Sequence, residues 1–245
     1  MTTNRNTLTR NRRRRLMKHI VLLGDSIFDN SPYLVSGELD VPNQLRLLVG
    51  KDCKVTHLAV DGHKNRHIRN QLNDLPSDST HLFLSVGGND GLDHLSIFND
   101  PIDTIGEALQ KMYLIGENFK KEYSSMLDNV LTYKLPTTVC NIYYPRFFSN
   151  SLERVVSYLP MMVDGEKLQQ MTMAAETIFN DIIMFEVFKR NLPLIDLRIL
   201  CNDDKDFANP IEPSCIGGMK IAKVINKIVD VHRFDNNINS CGVYL

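Results

Sequence analysis

The chain has 245 residues, 43% hydrophobic and 23% charged, with a formal net charge of −1. That length suits one α/β domain with a full core, and the composition is that of a globular soluble protein. No apolar run approaches the ~20 residues of a membrane-spanning helix, and Cys53, Cys140, Cys201, Cys215 and Cys241 form no CxxC pair, so neither a zinc site nor a disulfide framework is indicated.

Reduced thiols fit a cytoplasmic location. Charge is uneven. Residues 1–18 hold Arg5, Arg10, Arg12, Arg13, Arg14, Arg15 and Lys18 and no acid, leaving 21 basic against 29 acidic residues in 19–245, a net of −8. The stretch 1–18 reads as a disordered, solvated leader, with nuclear targeting or nucleic-acid contact as the alternatives. The acidic remainder argues against nucleic acid binding to the domain itself. The apolar residues after the leader carry His19 and no small-residue cleavage site, unlike a signal peptide. The expected division is a leader at 1–18, one domain at 19–232 and a C-terminal tail at 233–245.

Short β-branched runs alternate with longer amphipathic ones. Strands are expected at His19–Leu23, Lys54–Val60, His81–Val86, Thr137–Ile142 and Leu194–Leu200. Helices are expected at Val41–Leu48, Asn65–Leu75, from Ile105 to Val130, and at Val163–Asn191. Ile105, Leu109, Met112, Ile115, Phe119, Tyr123, Met126 and Val130 recur at spacings of three and four and are expected to face the core. Ser214 caps a last helix with Ile221, Val224, Ile225, Ile228 and Val231 on one face. This β-α alternation implies a parallel sheet with helices on both faces. Phe28–Leu39, Tyr143–Met162 and Leu200–Pro213 are long connections, expected to form site walls or lids. Tyr143, Tyr144, Phe147 and Phe148 are candidates to line the pocket.

Four short motifs follow strand ends: Gly24-Asp25-Ser26, Gly62, Gly87-Gly88-Asn89-Asp90 and Asn209-Pro210-Ile211-Glu212. In an open parallel sheet all four lie on the carboxyl edge, where ligands bind. Each alone is an ordinary turn or loop; together they supply the parts of acyl transfer. Ser26 offers a nucleophile, while its own N–H, the Gly62 N–H and the Asn89 amide offer oxyanion donors.

These motifs resemble the SGNH or GDSL hydrolase superfamily. Its first block stands as Gly24-Asp25-Ser26-Ile27-Phe28-Asp29-Asn30, its second as Gly62, and its third as Gly87-Gly88-Asn89-Asp90. The resemblance spans about residues 19–230. It implies a three-layer α/β/α, flavodoxin-like fold with a five-stranded parallel sheet in the order 2-1-3-4-5. It also implies esterase or deacetylase chemistry on lipids, carbohydrates or small acyl esters, without metal or other cofactor.

The last block departs from that pattern, which reads Asp-x-x-His. Here Asn209 stands for the aspartate and Glu212 for the histidine, with Pro213-Ser214 and Gly217-Gly218 following. A reference glutamate is weaker than histidine by about two pKa units, and burial would recover part of that. An asparagine beside Glu212 can donate to it where an aspartate would repel. His63, His67 and His94 lie on the right edge as alternative bases. His81 opens strand three, ~20 Å from the site edge, and His232 ends the last helix. Two functions follow: a serine esterase acting through an acyl-enzyme on Ser26 with Glu212 as base and Asn209 orienting it, or a catalytically degenerate binding module. The expected ligand is a small acyl ester or an acylated carbohydrate or lipid.

Overall fold

In the computed structural model, residues 17–147, 165–232 and 241–245 are described. The chain runs β1 (Lys18–Gly24), α1 (Val41–Val49), β2 (Cys53–His57), α2 (Ile68–Asn73), β3 (His81–Ser85), α3 (Gly88–Leu92), α4 (Ile105–Leu131), β4 (Thr137–Cys140), α5 (Gly165–Lys189), β5 (Leu194–Ile195), α6 (Leu197–Leu200), β6 (Phe207–Asn209), β7 (Glu212–Pro213), α7 (Cys215–Val231) and β8 (Val243–Tyr244). Among the described residues the main sheet has the order β2-β1-β3-β4-β5-β8, with every pairing parallel. The expected order 2-1-3-4-5 is present. Two residues of the expected tail add a sixth strand at its edge.

The layers follow from strand alternation. Ile20 and Leu22 of β1 point to one face, where Val41 and Leu45 of α1 and Ile221 and Ile225 of α7 cover them. Val21 and Leu23 point to the other, against Leu72 of α2, Phe119 and Tyr123 of α4, and Ile183 of α5. Both faces are buried, so β1 reads as a continuous apolar run instead of an alternating one. Asp40 caps α1 and Ser214 caps α7, each accepting backbone N–H bonds. Among the described residues no helix is long and apolar enough to cross a membrane.

Three expectations change. The fifth strand ends at Ile195, because the Asp196 carboxylate accepts from the Arg198 N–H and starts the helical turn Leu197–Leu200. Ile105 and Leu109 of α4 are exposed. At 1.5 Å per residue, its 27 residues span ~40 Å and overrun strands of about half that length. Val231, in the last turn of α7, is exposed for the same reason of overrun. Residues 1–16, 148–164 and 233–240, which include the expected leader, most of the connection expected at Tyr143–Met162 and the start of the helix expected at Val163–Asn191, lie outside the described residues.

Gly24 ends β1 at φ +137°, and a Cβ there would collide with the Ser85 carbonyl of β3. The Gln71 side chain of α2 clamps the same residue, accepting from the Gly24 N–H at 2.8 Å and donating to its carbonyl at 2.7 Å. Gly24→Ala is therefore expected to destabilise the fold by about 2 kcal/mol or more, read as a lowered urea midpoint. An unchanged midpoint would contradict this packing.

Candidate active site

The parallel register fixes which edge carries the site. Ile20 pairs with His81 and Gly24 with Ser85, so Ser26 and Asn89 leave the same end of the sheet and His81 lies at the other. The Asp25–Asp29 turn closes through Phe28 and Asp29 N–H bonds to the Asp25 carbonyl, at 3.1 and 3.0 Å. The Asp25 carboxyl accepts from the Ile27 N–H at 3.1 Å. Among the described residues the Ser26 N–H donates to nothing.

Glu212 arrives from a separate antiparallel hairpin, β6–β7, in which Asn209 faces Glu212 across the Pro210–Ile211 turn. Several bonds anchor this turn. The Arg146 N–H donates to the Pro210 carbonyl at 2.8 Å. The Tyr143 hydroxyl donates to the Ile211 carbonyl at 2.6 Å, and the Asn30 amide to the Pro213 carbonyl at 3.0 Å. The result sets the Glu212 carboxyl near Ser26, on the same cavity wall. Ser26 is 6% exposed and Glu212 5%. Among the described residues Glu212 Oε2 is buried without a hydrogen-bond partner.

Asn209 acts differently from the expectation. Its Oδ1 accepts from the Ile211 N–H at 3.0 Å, so it braces the turn that carries Glu212. Among the described residues no hydrogen bond joins its amide to the Glu212 carboxyl. The turn geometry explains this, since a short polar side chain bonds its own backbone two residues on.

Burial pushes the Glu212 carboxyl up to about 8, opposed by the nearby Ser26 hydroxyl and reinforced by Asp25, Asp61 and Asp29. Burial likewise raises Asp25 to about 7, against the Ile27 N–H bond and with help from Asp90 and Asp61. Asp90 rises to about 6, again chiefly through burial. The site is a crowd of carboxyl groups that penalise one another's ionisation.

The donors expected around Ser26 are placed as follows. Gly62 sits in an exposed turn at φ +76° and is not among the residues lining the cavity that holds Ser26. Asn89 lines the cavity beside Ser26 and donates one amide hydrogen to the His63 carbonyl at 3.1 Å. Among the alternative bases, His63 Nδ1 accepts from the Gln71 amide at 2.8 Å, and its ring lies 4.6 Å from that of His67. His67 Nδ1 accepts from the Lys64 N–H at 2.9 Å. His94 lines the cavity. Among the described residues no hydrogen bond joins an imidazole to Ser26.

Ser26, Asn89 and Glu212 open on a cavity of about 110 Å³, the order of size that admits a small organic molecule. Tyr143 and Phe147 line it as expected, and Ile211 comes from the third long connection; Tyr144 instead sits against Arg198. No described residue of Phe28–Leu39 except Phe28, which is buried in the core, belongs to either this wall or the adjacent core cluster. Much of the wall was not foreseen: Leu95 and Phe98 follow the third block, and Met112 and Ile115 come from α4.

No family model and no curated protein matches the sequence. Solved structures do match the fold. An extracellular lipase from Streptomyces rimosus is 14% identical with a TM-score of 0.59, covering 86% of this chain and 99% of that one. A phospholipase A1 from Streptomyces albidoflavus is 12% identical at 0.59, with the same coverage. A GDSL-like lipase from Bacteroides thetaiotaomicron is 9% identical at 0.55, covering 87% and 88%.

A carboxyl whose pKa is raised on folding contributes stability that is present at low pH and lost as pH rises through the folded value. For Glu212 that loss runs from about pH 4.5 through about 8. Glu212→Gln removes the buried charge, so the variant's melting temperature should exceed that of the native chain at pH 9 by more than at pH 6. An equal difference at both would show that Glu212 does not titrate in this range. The strand order, the helix layers and the matched structures agree: the chain has the fold of the SGNH/GDSL lipases and acylhydrolases.

Proposed function

We propose that the chain is a serine esterase that cleaves a small acyl ester through an acyl-enzyme on Ser26. One observation carries the reading: a buried carboxyl with an orphaned oxygen, Glu212, lies near Ser26 on the wall of one cavity. In this reading the Glu212 carboxylate takes the Ser26 proton as Oγ attacks the ester carbonyl. The Ser26 and Gly62 N–H groups and the second Asn89 amide hydrogen receive the oxyanion. The Glu212 proton passes to the leaving alcohol, and water, deprotonated by Glu212, then releases the acid. Asn209 is a positioning residue, holding the turn on which Glu212 stands. The lipases that share the fold support the reading by analogy.

A raised carboxyl is the better base once ionised, but it must first lose its proton. The value near 8 means that at neutral pH most molecules hold Glu212 protonated. The same observation favours a second reading, a binding module whose serine is idle at physiological pH.

The two readings separate in the pH–rate profile for p-nitrophenyl butanoate. For the esterase, kcat/KM should climb about tenfold per pH unit below 8 and level off above it. Ser26→Ala should abolish turnover, and Glu212→Gln should lower kcat/KM by ~10² or more. A plateau already reached by pH 7, or full activity in Glu212→Gln, would remove the glutamate from the mechanism. Folded protein with no turnover up to pH 9.5 would favour the binding module.

A further inference from the structure

The cavity beside Ser26 is not apolar throughout. Leu92, Leu95, Phe98, Met112, Ile115 and Phe179 give it greasy walls, but Thr172 and Glu176 of α5 also line it. The two are four residues apart and so share one helix face. A helical threonine hydroxyl ordinarily bonds back to the carbonyl one turn earlier, as Thr177 does to Met173 at 2.9 Å. Thr172 does not: its Oγ1 is buried with no partner among the described residues.

Glu176 is held at one oxygen only. Asn180 Nδ2 donates to its Oε1 at 3.1 Å. Asn180 is itself fixed, accepting from the Ile142 N–H and donating to the Ile142 carbonyl, both at 2.9 Å. No other described residue hydrogen-bonds the Glu176 carboxyl. Desolvation raises its pKa well above the ordinary carboxylate range, against the Asn180 bond and the Arg198 charge. Burial thus favours its protonated form, which has a hydrogen to donate. Polar groups left unmatched in an apolar wall cost about 1–3 kcal/mol each, which a pocket for plain alkyl chains has no use for.

We propose that Thr172 and Glu176 form a subsite for a hydroxyl substituent on the acyl group, so that the preferred substrate is a short hydroxyacyl ester. A hydroxyl has one hydrogen to donate and lone pairs to accept with. Glu176 donates to it, and Thr172 Oγ1 takes its hydrogen. An ammonium group would demand an ionised Glu176, which burial opposes. The substrate class rests on the esterase reading of Ser26; the subsite itself can be measured without turnover.

The test compares p-nitrophenyl esters of butanoate and hexanoate with their 3-hydroxy and 6-hydroxy counterparts. At least one hydroxylated ester should exceed its parent about tenfold in kcat/KM. The ratio should fall toward one in Glu176→Leu and in Thr172→Val, and be largely kept in Glu176→Gln, which can still donate. Because the native ratio is informative alone, a misfolded variant does not void the experiment. A native chain that prefers no hydroxylated ester overturns the proposal, as does a stronger preference for the 6-aminohexanoyl ester. If no ester turns over, the esterase reading fails, and binding to the native chain decides the subsite. Tighter binding of N-methyl-6-hydroxyhexanamide or the 3-hydroxy isomer than of N-methylhexanamide, read by ligand-observed NMR, would uphold it. Equal binding would overturn it.

Discussion

The burial of Glu212 near Ser26 is the constraint on which the site turns. A carboxyl in water is too weak a base to activate a serine near neutral pH. Here, removal from water and the neighbouring Asp25, Asp29 and Asp61 carry it to about 8, above the usual range of an imidazole. The crowding that destabilises the ionised site is also what supplies the basicity.

The fold delivers this placement through two independent supports. Gly24 lets β1 close on β3, and Gln71 locks it there, so the Asp25–Asp29 turn leaves the sheet at one fixed place. The β6–β7 hairpin belongs to neither helix layer. Tyr143, Arg146 and Asn30 pin it through backbone carbonyls and so help to place Glu212. The cavity then grows from elements beyond the sheet edge, where α4 and the residues after α3 overhang it.

Most of the sheet was legible because its strands are apolar on both faces and stop at glycine or at polar residues. The carboxyl edge followed from that, and with it the company of Ser26, Asn89 and Glu212. Other features left no local signal. β8 is two residues long, and only its pairing with β5 makes it a strand. The α4 periodicity continued past the core because a helix does not know where its sheet ends; Met112 became cavity wall, and Ile115 serves both the cavity wall and the core. Thr172 and Glu176 looked like ordinary helix positions, since nothing in spacing tells a polar face in water from one in a cavity. For Asn209 the residue type was informative but its partner was not: the amide side chain served its own turn.

The most direct test of the central claim is the intact mass of the protein after exposure to a fluorophosphonate probe, followed in time at pH 6 and pH 9. The account predicts a single adduct on Ser26, formed faster at pH 9, absent from Ser26→Ala and strongly slowed in Glu212→Gln. Folded protein that takes no adduct at either pH, or an adduct that persists in Ser26→Ala, would contradict it.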